Sequence, residues 1–362
     1  MIPRPRLVVV ALQSLVANGL LLAQELPPVR TLGALVLPSI GPFNEVRGTR
    51  ELSDARVIIL DRMNRQLYLA SLRSGAKAPL GRDGNGPGEY QLPLWMLSLP
   101  SDTTAVYDMA NPYRFVVYGP DGKPGHSIPI KYPGNSGPPE AVDAKGHLYT
   151  AEREVPGLAN RMLGKVVRFD RGSGQSDSLA TVSFQAFTPL PLSSRPGPAP
   201  PFTTHEQWAV GLEGRVVILH VDPYHVTFVY GDQSVVEGPL LPAEQIRVTR
   251  EHQEEWRAER MKPRPGIYEF NGTTSYFRRP QSDDLEEPRF PAYLPPFLPN
   301  ALSIAPNGMV WIKRTTPFGA PPTFDVLDRQ GRLAMRISLP PRTRLVGFGL
   351  GTLYLARLDE KD

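Results

Sequence analysis

The chain contains no cysteine. That excludes disulfides, cysteine nucleophiles, thiolate metal sites and a lipid-modified cysteine anchor. It also has no run of four basic residues: 40 Lys and Arg stand against 36 Asp and Glu, a formal net charge of +4. A mixed surface of this kind carries no nucleic-acid footprint. No Gly-x-Ser-x-Gly elbow, HExxH pair or phosphate-binding loop occurs, so the common hydrolase and nucleotide signatures are missing. The longest apolar stretch, residues 7–23, is interrupted by Gln13, Ser14 and Asn18. It is short for a bilayer core of ~30 Å. Arg4 and Arg6 precede it, and Gln24, Glu25 and two prolines follow it. This is the outline of a secretory leader, with cleavage expected after Ala23 or, as the alternative, after Gly19. The mature chain, residues 24–362, is then expected in the periplasm or outside the cell, not inserted in a membrane.

Proline and glycine are abundant, with 41 and 32 residues in a chain of 362. Prolines end strands and set turns, so this composition suits many short strands joined by tight loops. Six β-rich segments share one frame: VIILD at 57–61, TAVYD at 104–108, LYTAE at 148–152, VVILH at 216–220, VWIKR at 310–314 and LYLAR at 353–357. Their starts lie 47, 44, 68, 94 and 43 residues apart. A period in the forties predicts a repeat architecture whose unit is a small antiparallel sheet. The fold class expected is all-β: a single six-bladed β-propeller over residues 24–362. Residues 353–357 leave the last blade short of strands, and residues 31–37 are expected to close it as an outer strand.

The two long intervals read as insertions. Residues 188–201 are proline-rich and extended. Residues 241–299 separate blades four and five. Within them, residues 243–261 lack proline and glycine and predict a helix, with Pro242 in its first turn. Residues 262–299 are irregular and rich in aromatics and arginine.

The sharpest local motif is GRDGNGPGEY at 81–90, with Pro93 following. Its glycines do not open a helical pattern, so it is not a dinucleotide turn. A tight connector in which Glu89 bonds nearby backbone is expected instead. This motif resembles the inter-blade connector of NHL-repeat proteins and related bacterial six-bladed propellers. Val57, Asp61, Asn64 and Arg65, and Phe290 to Tyr293 ahead of Asn307 to Trp311, are similar to the same repeat. The family includes lactone hydrolases, lyases and many binding proteins, so the resemblance implies a fold more than an activity.

Three sets of residues are candidates for function. The fifth position of the repeat frame holds, in order, Asp61, Asp108, Glu152, His220, Arg314 and Arg357. If the blades are equivalent, these form a polarised ring able to hold a small polar ligand. An Asp at a strand end also commonly bonds its own turn, which is the plainer reading. The densest histidine cluster, His220, Asp222 and His225, is a candidate site for a divalent metal, although Asp222-Pro223 also marks a turn. Trp256, Arg278, Arg279, Phe290 and Tyr293 have the composition of an interaction surface. The expected function is an exported, monomeric binding or protein-interaction module with no cofactor, and its partner is a protein or a small polar ligand. The alternative is a metal-assisted hydrolase or lyase at the channel mouth.

Overall fold

A computed structural model describes residues 6–11, 27–32, 39–110, 113–130, 137–153, 161–185, 200–261, 269–271, 274–276 and 288–358. Their architecture is all-β with one helix, in a propeller arrangement. Sheet one comprises Val46–Glu51, Arg56–Asp61, Gln66–Ser71 and Lys77–Leu80. Sheet two comprises Pro93–Leu99, Thr103–Asp108, Arg114–Tyr118 and Ile128–Pro129. Sheet three comprises Ala141–Val142, Leu148–Arg153, Arg161–Phe169 and Ser176–Gln185. Sheet four comprises Gln207–Val210, Val216–His220, His225–Val229 and Val235–Glu237. Sheet five comprises Phe297–Ile304, Val310–Arg314, Thr323–Leu327 and Leu333–Ser338. Within each, strands pair antiparallel in the order of the chain.

These five sheets have four or five strands, whereas the sheet at the chain's end has three: Thr343–Phe348, Thr352–Arg357 and Arg6–Ala11. Thr31, the first residue of the strand expected to close it, pairs elsewhere. Val29–Thr31 instead adds in parallel to Leu333–Ser338 as the fifth strand of sheet five. Residues 33–37 of that expected strand lie outside the described residues. Parallel addition satisfies an edge that would otherwise be open.

Side chains on a strand alternate between faces, and the second strand of each sheet shows why these sequences form buried blades. Val57 and Ile59 pack with Tyr354 and Ala356 of the last sheet. Ile58 and Leu60 pack with Val106, Val116 and Tyr118 of sheet two. All four residues from Val57 to Leu60 have no exposed surface. The same division recurs in sheet four, where Val216 and Ile218 join the core shared with sheet three and Val217 and Leu219 join that shared with sheet five. Trp311 and Leu353 belong to the core between sheet five and the last sheet. Leu97, Tyr107 and Val142 join sheets two and three. Apolar cores therefore link each sheet to the next and the last sheet to the first. Burial of one such side chain contributes about 1.5–3 kcal/mol.

The helix is shorter than expected, Arg250–Met261. Its start is fixed at Thr249, not Pro242. His252 Nδ1 accepts hydrogen bonds from the Thr249 amide and hydroxyl at 3.2 and 2.9 Å, the reciprocal contact of a capping box with histidine in place of glutamate. Among the described residues no helix is long and apolar enough to cross a membrane.

Candidate functional site

The repeat frame is real in backbone terms. The residue after the fifth frame position donates to the linker that enters its own sheet: Arg62 to Glu45 O, Met109 to Leu92 O, Thr315 to Pro296 O and Leu358 to Arg342 O, at 2.8–3.1 Å. Asp61, Asp108, Arg314 and Arg357 therefore occupy equivalent places.

Their chemistry is local. Asp61 is fully buried, and its two oxygens accept from the Asn44 and Glu45 amides at 2.9 Å and from Asn64 Nδ2 at 2.8 Å. Asp108, also fully buried, accepts from the Gln91 and Leu92 amides at 3.2 and 2.8 Å. Its other oxygen takes Arg114 Nε and Nη2, both at 3.3 Å. Both aspartates thus tie a linker to the end of its blade, as the turn reading of this position expects. Glu152 is half-buried and stands opposite Lys165 in register. Arg357 is exposed at the end of its strand.

Arg114 completes the connector. Its guanidinium donates to Asn85 O at 2.7 Å and to Gly84 O and Glu89 O at 3.1 Å. Glu89 Oε2 accepts from the Gly86 amide and Oε1 from Arg82, both at 2.7 Å, and these bonds hold its carboxyl below the usual range. Tyr90 is buried, accepts from the Leu67 amide and donates to Leu80 O, and burial pushes its hydroxyl up to about 12. The motif at 81–90 is a structural clasp between sheets one and two.

The histidine candidates do not converge. His220 Nδ1 meets Glu206 at 2.7 Å and Nε2 meets the Thr227 hydroxyl at 2.9 Å, so both nitrogens are engaged. His225 stacks on it at 4.4 Å and uses Nδ1 on Pro223 O, while Asp222 is exposed. Among the described residues no group of three or more His, Asp or Glu side chains is placed to hold a metal ion.

The insertion gives a different picture. Residues 246–248 run beside 292–294 through Val248 N to Ala292 O and Leu294 N to Ile246 O. The Phe290 ring stands at the centre of a small aromatic cluster. Trp256 meets it edge-on at 5.5 Å, Phe202 lies at 5.9 Å, and the Arg257 guanidinium sits over it at 5.1 Å. Beside them is a recess of about 420 Å³ lined by Pro200, Phe202, Arg289, Phe290, Tyr293 and Pro295. Tyr293 is 43 % exposed. Arg278 and Arg279 lie outside the described residues. A second recess, about 570 Å³, is lined by Glu244, Ile246, Arg247, His252 and Phe318 among others.

Below Glu244 lies a cluster that the repeat frame entered only through Arg314. Asp325 is fully buried. Arg336 Nε reaches it at 2.8 Å, Arg314 Nη1 at 3.4 Å, and the Tyr224 hydroxyl at 3.4 Å. Glu244 Oε1 bridges both arginines, at 3.3 Å from Arg314 and 3.1 Å from Arg336. Burial pushes Asp325 up to about 6, with Arg314 pulling the other way. The signal for this cluster was a lone charge in each of two apolar strands, Asp325 in TFDVL and Arg336 in LAMRIS.

No family model matches the chain, and no curated protein matches it. Among solved structures, the chain is similar to a gluconolactonase of Xanthomonas campestris at 10% identity, with 88% of each chain covered and a TM-score of 0.41. It is similar to virginiamycin B lyase of Staphylococcus aureus at 11% identity, over 86% of this chain and 80% of that one, with a TM-score of 0.37. It is also similar to the calcium-binding protein regucalcin of Agrobacterium tumefaciens at 11% identity, over 84% and 77%, with a TM-score of 0.35. These likenesses concern the path of the chain, and no residue role passes from them to this protein.

Proposed function

We propose that this chain is an exported propeller acting as a protein-binding module, and that its binding surface is the insertion face around Phe290. In this reading residues 1–23 are a leader, Thr343–Phe348 and Thr352–Arg357 are what the mature protein keeps of a sixth, incomplete blade, and the mature protein is a monomer. The observation that supports the surface is the recess lined by Phe202, Arg289, Phe290 and the exposed Tyr293, with Trp256 and Arg257 packed on the Phe290 ring. Interfaces favour aromatic and arginine anchors of this kind over scattered charge. The ring of Asp61, Asp108, Glu152, His220, Arg314 and Arg357 supports binding less well. Asp61 and Asp108 are held by backbone amides, and His220 is held at both nitrogens.

Phe290→Ala tests the surface. The variant should fold, because Phe290 is only half-buried, and should lose at least ten-fold in affinity for the partner that the wild-type protein captures from its own extracytoplasmic fraction. Equal capture by a folded Phe290→Ala protein contradicts the assignment. The leader is tested separately by the mass of the exported protein, expected to begin at Gln24 or, on the alternative cleavage, at Leu20. Cleavage at either point removes Arg6–Ala11 from beside Thr352–Arg357. A mature protein that still carries residues 6–11 would show instead that this strand is permanent.

A further inference from the structure

The chain's own Glu244 is doing something unusual for an exposed carboxylate. Its side chain is 58% exposed, yet one oxygen bridges two guanidinium groups that are 7% and 6% exposed, Arg314 and Arg336. The segment that carries it is anchored on both sides, by Leu241 N to Tyr224 O and by Leu294 N to Ile246 O. Glu244 can therefore leave the arginines by a side-chain rotation, without moving the backbone. Beneath it the donors exceed the acceptors: Arg336 Nη2 is buried with no hydrogen-bond partner among the described residues. A planar guanidinium with a free N–H is built for a second carboxylate oxygen.

The cavity above Glu244 supplies the rest of a site. It is about 570 Å³ and is lined by Glu244, Ile246, Arg247, His252, Pro317 and Phe318. Because His252 Nδ1 accepts from the Thr249 amide, its proton sits on Nε2, which is buried without a partner among the described residues. Phe318 is half exposed and stands edge-on to that ring at 5.9 Å. Arg247 and Glu251 on the rim carry opposite charges. Neither arginine lines this cavity, and Glu244 is the residue that joins the two: a ligand whose anionic head took the place of the Glu244 carboxylate would have its flat apolar body against Ile246, Pro317 and Phe318.

We infer that the Arg314–Arg336 pair is a binding site for a small aromatic or aliphatic carboxylate, and that Glu244 occupies it as an internal stand-in for the ligand. This site is distinct from the Phe290 surface and does not depend on it. Removing an internal competitor raises apparent affinity by the inverse of the fraction of molecules in which the site is free.

The test is a fluorine NMR titration of the mature protein with 4-fluorobenzoate, with 4-fluorobenzyl alcohol as the neutral control. Glu244→Gln should bind 4-fluorobenzoate about ten-fold more tightly than wild type and should not respond to the alcohol. Adding Arg336→Met to Glu244→Gln should abolish saturation. If that double variant does not fold, the single variant still decides. A folded Glu244→Gln protein that ignores 4-fluorobenzoate, or that takes the alcohol equally well, overturns the inference. Binding that is unchanged between wild type and Glu244→Gln overturns the competitor role and the inference with it.

Discussion

Asp108 and Asp325 are both fully buried aspartates paired with arginine, but they are satisfied in different ways. Asp108 receives backbone amides from Gln91 and Leu92 as well as Arg114, and Arg114 in turn donates to three connector carbonyls. Asp325 receives side-chain donors only, at 2.8–3.4 Å, and burial raises it to about 6. A buried charge ringed by fixed backbone dipoles is a structural rivet. One held by movable side chains, with a donor left over, has the make-up of a site that can change partners.

The contrast can be broken at several points. The largest effect is expected for Asp108→Ala, which leaves the buried Arg114 charge without its carboxylate and the Gln91 and Leu92 amides without their acceptor. Chemical denaturation should show a loss of about 3–5 kcal/mol. Gly81→Ala attacks the same clasp from the other side. Gly81 has φ +73°, and a Cβ there would lie 2.2 Å from the Tyr118 hydroxyl and 2.4 Å from Gly88 O. A cost of about 2–3 kcal/mol is expected, measured in the same way.

Asp325 should reveal itself through pH. Its folded value is raised above the ordinary carboxylate value of about 4, so the folded chain holds the proton more firmly than the unfolded chain. That contribution is full below about pH 4 and is lost as pH rises through about 6. Unfolding free energy should therefore fall across this window, by an amount of order 2 kcal/mol. Asp325→Asn should flatten that part of the profile, and an unchanged slope would show that Asp325 is ionised throughout. The smallest effect on stability belongs to Glu244→Gln. Its pairs are half open to solvent, and less than about 1 kcal/mol is expected. Its effect on carboxylate binding is the larger one.

Much of the fold was legible in the chain. The apolar run at 57–60 and its counterparts at 216–219 and 310–312 state that both strand faces are covered, and the spacing of the segments states that the sheets repeat. What local pattern does not encode is which distant edge a short strand will join. Val29–Thr31 pairs with Leu333–Ser338 of sheet five, an edge supplied from the far end of the sequence. The helix start was missed for a related reason: Thr249 and His252 form a cap that depends on one ring nitrogen acting as acceptor. The repeat frame correctly brought Asp61, Asp108, Arg314 and Arg357 to equivalent positions, but equivalence of place did not make equivalence of role. The partners that decide the role, Arg114 for Asp108 and Glu244, Asp325 and Arg336 for Arg314, come from other strands and from the insertion.

On the function proposed above, the insertion face, and not the polar ring, meets the partner. A photo-reactive benzoylphenylalanine at Tyr293 compared with one at the exposed ring position Arg357, each in the exported protein in its own cells, tests it directly. Adducts of one defined mass at 293 and none at 357 are the result expected. Adducts at 357 alone would return function to the ring and contradict the account.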